Sequence, residues 1–246
     1  MRELELGGLH ARVTGGADRE GGGDGPVLVL LHGFGAPGTD LVPLWRVLDV
    51  PRGTRFVFPE APLDLGPAYM GGRAWWMIDI ARLERELAAG GRDLTREVPD
   101  GLAEARAQLI ALLDAVEREL AADPARTVIG GFSQGAMLAC DVALRTSRKV
   151  AGLALLSTTL LAEEEWIPLM PARVGLPVLQ SHGQADPLLP FAIADRLRGE
   201  LVRAGLAVRW VPFRGGHEIP GVVLDELGRF LRDTLAPDTA PGSGAS

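Results

Sequence analysis

Thr127-Val128-Ile129-Gly130-Gly131-Phe132-Ser133-Gln134-Gly135-Ala136-Met137-Leu138 is the stretch on which the fold turns. A short apolar run enters Gly131-Phe132-Ser133-Gln134-Gly135, a Gly-x-Ser-x-Gly pattern, and a helix-forming Ala-Met-Leu run leaves it. Such a pattern suits a tight strand-to-helix turn that presents a serine hydroxyl at the end of a strand, with glycines keeping neighbouring backbone from clashing. In a chain with 32 glycines, chance produces roughly 0.1 such match, so the match gains its weight from the strand before it and the helix after it. The bland alternative is a solvated serine in a glycine-rich turn.

Outward from this stretch the same alternation repeats. Val27-Leu28-Val29-Leu30-Leu31 is an unbroken apolar run, the signature of a strand covered on both faces. Similar runs occur at Arg55 to Phe58, Val150 to Leu156, Pro177 to Ser181 and Val208 to Phe213. Helical patterns lie between them. Leu102, Ala105, Leu109, Leu113, Val116 and Leu120 form one apolar stripe on a helix that Asp100 could cap. Gln134 to Leu144, Phe191 to Ala204 and Pro220 to Leu235 read as further helices. The first 14 residues alternate loosely around Gly7-Gly8 and read as an edge hairpin. Strand and helix in alternation imply an α/β fold with a mostly parallel central sheet and helices on both faces, whose ligand sites gather at the strands' carboxyl ends. We expect one domain over residues 1–236 and an unstructured tail over 237–246. Two connections, Pro59 to Pro99 and Ser157 to Leu176, exceed what this scaffold needs; loops of that length are usually functional or disordered, and their apolar side chains argue against simple disorder.

Length, charge and cysteine content narrow the class. A chain of 246 residues with 47% apolar residues can bury a sizeable core. Its net charge of −7 repels phosphate backbones and anionic surfaces, so nucleic acid is not an expected partner. Cys140 is the single cysteine, which excludes an internal disulfide and suits a reducing compartment. The start of the chain has no apolar signal segment and no stretch has the length of a membrane span, so the expected location is cytoplasmic. A zinc site from His32, His182, His217 and Asp186 lacks any paired-ligand spacing; neither a metal nor another cofactor is expected. Cys140, seven residues after Ser133, reads as a small buried apolar residue.

A serine hydroxyl becomes a nucleophile only beside a base that a third group orients. His10 falls in the edge hairpin, while His32 and His182 each end a strand before a glycine. His217, in Gly215-Gly216-His217-Glu218, follows the last strand and comes to the sheet edge where Ser133 is expected. Asp186 follows the Pro177 to Ser181 strand and completes the chain order Ser, Asp, His. It could instead be an Asp-Pro turn former, with Glu218 as the rival carboxylate. Backbone N–H groups of Gln134 and of Phe34, in the His32-Gly33-Phe34-Gly35 loop, are the candidates to stabilise an oxyanion.

These motifs, with Pro59-Glu60-Ala61-Pro62, Arg73-Ala74-Trp75-Trp76, Ile78-Asp79, His182-Gly183 and Gly216-His217-Glu218-Ile219, resemble the phospholipase/carboxylesterase (acyl-protein thioesterase-like) family of α/β-hydrolases. The resemblance spans about Val27 to Leu235. It implies the α/β-hydrolase fold, a triad of Ser133, Asp186 and His217, oxyanion amides from Phe34 and Gln134, and an acyl pocket lined by Trp75, Trp76 and Leu188. The implied activity is hydrolysis of a small-molecule carboxylic ester or thioester through an acyl-enzyme, with lysophospholipase or acyl-protein thioesterase action as alternatives. A non-catalytic ligand-binding protein on the same fold is the alternative of another class. Oligomeric state is left open, a homodimer being one option. Arg82 to Glu97 and Ser157 to Met170 match no substrate pattern.

Overall fold

The computed structural model describes residues 1–88 and 92–236; the segment 237–246, expected as a tail, lies outside the described residues. Eight strands, β1 (Arg2–Leu6), β2 (Leu9–Gly15), β3 (Val27–Leu31), β4 (Arg55–Pro59), β5 (Thr127–Phe132), β6 (Gly152–Leu156), β7 (Pro177–Gly183) and β8 (Ala207–Phe213), form one sheet in the order β1-β2-β4-β3-β5-β6-β7-β8. Pairing is parallel from β4 through β8. The hairpin β1–β2 and the β2–β4 pair are antiparallel, which puts the amino-terminal hairpin at one edge. Leu6 pairs with Leu9, so Gly7 and Gly8 alone make the turn, both at positive φ (60° and 83°), as a two-residue hairpin loop that follows the strands' twist requires.

The unalternating runs have a simple cause: each face of the sheet is covered. Val27, Val29 and Leu31 point into one apolar cluster with helices α3 (Leu102–Glu119), α4 (Gln134–Arg145) and α6 (Phe191–Arg203), while Leu28 and Leu30 point into a second cluster with α7 (Gly221–Leu235). The stripe on α3 is as its spacing implies, with Leu102, Ala105, Leu109, Leu113 and Val116 buried. Its cap is not. Gly101 occupies the N-cap at φ 85° with no side-chain cap bond, so Asp100 stands outside the helix; the left-handed turn that leads the chain in suits glycine.

Both long connections carry structure. The first contains a two-residue ribbon pairing Leu63–Asp64 with Arg73–Ala74, and α2 (Ile80–Ala88); the short helix α1 (Leu44–Val47) precedes it, between β3 and β4. The second contains α5 (Glu163–Leu169). Its Trp166 is fully buried and its indole N–H donates 2.8 Å to the Asp141 carboxylate on α4, which also pairs with Arg106 and Arg145. That segment is thereby a brace for α4, and its Glu163 and Glu165 pair with Arg196 and Arg145. Among the described residues no helix is long and apolar enough to cross a membrane.

Candidate active site

Ser133 stands between β5 and α4 with φ 54° and ψ −118°, a left-handed conformation that costs a non-glycine residue of order 1–3 kcal/mol. The turn is held by a 2.9 Å bond from the Ser133 amide to the carbonyl of Leu156. The flanking glycines are obligatory for close approach: a Cβ on Gly131 would lie 2.5 Å from the Gly135 backbone, and one on Gly135 would lie 2.4 Å from the Leu31 carbonyl oxygen. Backbone of β3 therefore passes directly against the turn, which brings the Gly33-Phe34 loop beside the serine.

Asp186 and His217, on the loops after β7 and β8, meet with His217 Nδ1 2.7 Å from Asp186 Oδ2. The other carboxylate oxygen accepts from the amides of Leu188 (2.8 Å) and Leu189 (3.0 Å). Burial alone would raise this carboxyl, but the bond from His217 and the Leu189 and Leu188 amides bring it below its ordinary value, so it is an anion at neutral pH. With Nδ1–H given to Asp186, Nε2 is left as the basic nitrogen. The imidazole is packed on the Phe132 ring at 4.8 Å between centroids. Two main-chain bonds fasten the loops together, Gln184 N–H to Phe213 O and Ala185 N–H to Gly215 O, each 2.9 Å. Gly183 makes room for this, since a Cβ there would lie 2.1 Å from the Gly216 carbonyl. Glu218, the rival carboxylate, turns back to accept from the Gly216 amide.

The second wall is tied to the first by Gln134. Its backbone amide opens α4, where no preceding turn of helix supplies a carbonyl; its side chain, 2% exposed, reaches across to the Trp75-Trp76 segment. Gln134 Oε1 accepts from the Trp75 amide at 2.9 Å, and Gln134 Nε2 donates to the Trp76 carbonyl at 2.8 Å. The Trp75 indole donates 2.9 Å to the His32 carbonyl, and main-chain bonds join Gly35 and Ala36 to Arg73. His32 accepts from the Ala61 amide at Nε2 (3.0 Å), so its Nδ1 carries the proton toward Gly33 O (2.8 Å). Burial pushes the His32 imidazole below its ordinary value, in keeping with a neutral ring that uses one nitrogen as acceptor.

Ser133, His217, Gly33, Phe34 and Gln134 line one cavity of about 160 Å³, whose remaining wall is Trp76, Ile78, Leu83, Arg92, Leu94, Pro99, Phe132, Met137, Leu188 and Leu189. Residues 20–235 match the phospholipase/carboxylesterase family model. The chain belongs to that family. An acyl-protein thioesterase 1 of Gibberella zeae is 29% identical over 218 residues, covering 85% of this chain and 91% of the relative; one of Neurospora crassa is 28% identical over 216 residues, covering 85% and 86%. Among solved structures, esterase PE8 superposes with a TM-score of 0.76 at 29% identity, covering 92% of this chain and 99% of that one. The Bacillus cereus carboxylesterase, at 20% identity and a TM-score of 0.69 over 92% and 94%, shares the fold.

Set on the family's fold, the residues singled out from sequence sort into two groups. Ser133, His217, Phe34, Gln134, Trp76 and Leu188 border the cavity, with Asp186 behind His217. Trp75, expected beside them in an acyl pocket, does not: its indole is consumed by the His32 carbonyl, and it acts as a buried strut beneath the wall. His182 likewise supports a loop, its Nε2 bonded to Leu189 O at 2.8 Å, and burial pushes its imidazole down. Cys140 is buried, and burial pushes its thiol up. Among the described residues no group of three or more His, Cys, Asp or Glu side chains is arranged to hold a metal ion. The Gln134 side-chain clamp, Met137, and the wall contributed by Leu83, Arg92 and Leu94 were not visible in sequence: the last three fall between Arg82 and Glu97, which matches no pattern, while Ile78 lies in a quoted motif that carried no role of its own.

Proposed function

We propose that this protein is a serine hydrolase of carboxylic esters or thioesters, with Ser133 as nucleophile, His217 as general base and acid, and Asp186 as the group that orients His217. The observation that carries the reading is the 2.7 Å His217–Asp186 bond on a cavity whose wall also holds Ser133 at a strained turn. The family's named thioesterase and esterase members support an acyl substrate. In the first half-reaction Ser133 Oγ adds to the carbonyl carbon while His217 Nε2 takes its proton. The oxyanion receives hydrogen bonds from the Gln134 and Phe34 amides, a contribution of several kcal/mol in such sites. Collapse breaks the C–O or C–S bond, and His217 returns the proton to the departing alkoxide or thiolate. Water then adds to the acyl-enzyme, losing a proton to His217, and the acid leaves as Ser133 is reprotonated. The imidazolium formed in each half is stabilised by the Asp186 anion. A cytoplasmic location is part of this reading.

Covalent labelling by a fluorophosphonate tests it, because only an activated serine reacts quickly. We expect labelling at Ser133 and its loss in Ser133→Ala, with ester turnover reduced by at least about 10⁴-fold and the circular dichroism spectrum kept. Turnover unchanged in that variant would refute the assignment; an absence of labelling in the parent protein would favour a non-catalytic ligand-binding role.

A further inference from the structure

Arg92 has no role in the chemistry above, yet it is the one permanently charged side chain on the cavity wall among the described residues. It stands among Ile78, Leu83, Leu94 and Trp76, with its side chain only 14% exposed. A guanidinium in apolar surroundings is costly unless its donors are satisfied. Here the pairing is incomplete: Arg92 Nε has no hydrogen-bond partner among the described residues, although the charges of Glu86 and Glu97 lie near it. The nearby carboxylate is Glu86, whose Oε2 approaches Arg92 Nε at 3.3 Å without hydrogen-bond geometry and is itself unbonded. Glu86 is held from its other oxygen by Arg82 at 2.6 Å, and Arg82 also pairs with Glu97. Burial lowers the Arg92 guanidinium from its ordinary value, but an arginine remains a cation at any physiological pH.

We propose that Arg92 is the receptor for a carboxylate on the acyl half of the substrate, so that this chain hydrolyses half-esters or half-thioesters of short dicarboxylic acids. The inference rests on the hydrolase reading above. The acyl half is the one concerned because it stays bonded to Ser133 while the alcohol or thiol departs. The length follows from the volume. An apolar cavity of about 150 Å³ takes a benzene molecule, so about 160 Å³ admits an acyl group of roughly six or seven heavy atoms. A succinyl group, with seven heavy atoms, is of that size and carries its charge at the end away from the ester carbonyl, and the planar guanidinium on the same wall can pair with that carboxylate at two points. A palmitoyl chain would leave most of its length outside and give Arg92 nothing to pair with. The overall charge of −7 opposes the approach of an anion, so selectivity must come from this local contact.

The test compares monoethyl succinate with ethyl 4-methylpentanoate, in which an uncharged isopropyl group replaces the carboxylate, by pH-stat kinetics on the full chain. We expect kcat/KM to favour the succinate ester by at least about 10-fold, the scale of one charged hydrogen-bonded contact. Arg92→Gln should cut that ratio by about 10-fold, and Arg92→Lys should leave an intermediate ratio because it keeps the charge and loses the fork. A parent ratio at or below one overturns the proposal. So does a parallel fall of both substrates in Arg92→Gln with the ratio kept, which would make Arg92 a structural tie to Glu86. If Ser133 is labelled by the fluorophosphonate while the ratio is one, only this proposal fails; if Ser133 is not labelled and neither ester turns over, both readings fail.

Discussion

Replacing Gln134 by Ala separates two functions that one residue combines. The backbone amide stays at the start of α4, while the side-chain clamp to Trp75 and Trp76 is lost. The clamp consists of two buried neutral hydrogen bonds of 2.9 and 2.8 Å. Its removal leaves the Trp75 N–H and the Trp76 carbonyl unpaired, each costing about 1–3 kcal/mol when water does not replace the partner. Because Gln134 borders the cavity, water can reach part of the gap, and we place the net loss at about 2–4 kcal/mol. With a urea slope near 3 kcal/mol per molar, the unfolding midpoint should fall by about 1 M. Trp76 is a wall residue and Gly35 is bonded to Arg73 two positions upstream of Trp75, so the slackened segment also misplaces the Phe34 amide. We therefore expect kcat/KM to fall by about 10-fold, since small misplacements in such sites cost that much or more. A midpoint shift below about 0.2 M would show that the clamp carries no weight. Unchanged stability with lost activity would place the effect in the oxyanion amide instead.

Two further outcomes follow from buried charge. Asp141 is fully buried between Arg106, Arg145 and Trp166; Asp141→Ala should cost about 3 kcal/mol, the lower end for breaking a buried pair because both arginines can turn toward water. A loss under 1 kcal/mol in chemical unfolding would contradict it, and Asp141→Asn, which keeps an acceptor for the Trp166 indole, should lose less. Stability should also decline in mild acid. Burial lowers the His32 and His182 imidazoles, so below about 6.5 the unfolded chain binds protons that the folded chain does not. Their contribution is complete above that pH and falls as pH drops, at up to about 1.4 kcal/mol per unit for each histidine. Asp186, lowered in the fold, adds its loss only below about pH 4. A urea midpoint flat from pH 8 to 5 would rule out two neutral buried histidines.

The parts of the site written locally were readable before the structure. Gly131 and Gly135 leave their mark because the strand-to-helix turn has no room for a Cβ, and His217 and Asp186 were reachable because chain order and strand ends constrain them. The sheet was readable for the same reason: a strand buried on both faces has nowhere to place polar residues. What escaped was long-range. Gln134 and Trp75 are 59 residues apart, and nothing in either neighbourhood marks a glutamine side chain as a clamp or an indole as a strut. Asp100 does not cap α3 because its neighbour Gly101 takes a left-handed conformation that leaves the aspartate outside the helix. Arg92 lies in the arginine- and glutamate-rich stretch Arg82 to Glu97, which matches no substrate pattern, and only the packing reveals that one of those charges lines the cavity.

The two walls of the cavity are built to different standards, and that difference has a consequence for how such a site can change. Ser133, Asp186 and His217 sit at the ends of β5, β7 and β8, in loops fastened by main-chain bonds and by glycines that admit no side chain. The facing wall is contributed by Trp76, Ile78, Leu83, Arg92, Leu94 and Pro99; Trp76 and Leu94 are buried, but α2 has no buried residue and carries the exposed pairs of Arg82 with Glu86 and Glu97. Exposed pairs contribute little to stability, so substitutions at Ile78, Leu83 or Arg92 should leave the sheet and the Ser133 turn largely undisturbed while altering which acyl group fits. Ion pairs of that kind also weaken with salt. If they set the wall's position, kcat/KM should respond to ionic strength even for an uncharged ester, while the rate of fluorophosphonate labelling by a small probe that does not reach the wall stays constant. Equal salt dependence of both rates would mean that the two walls move as one.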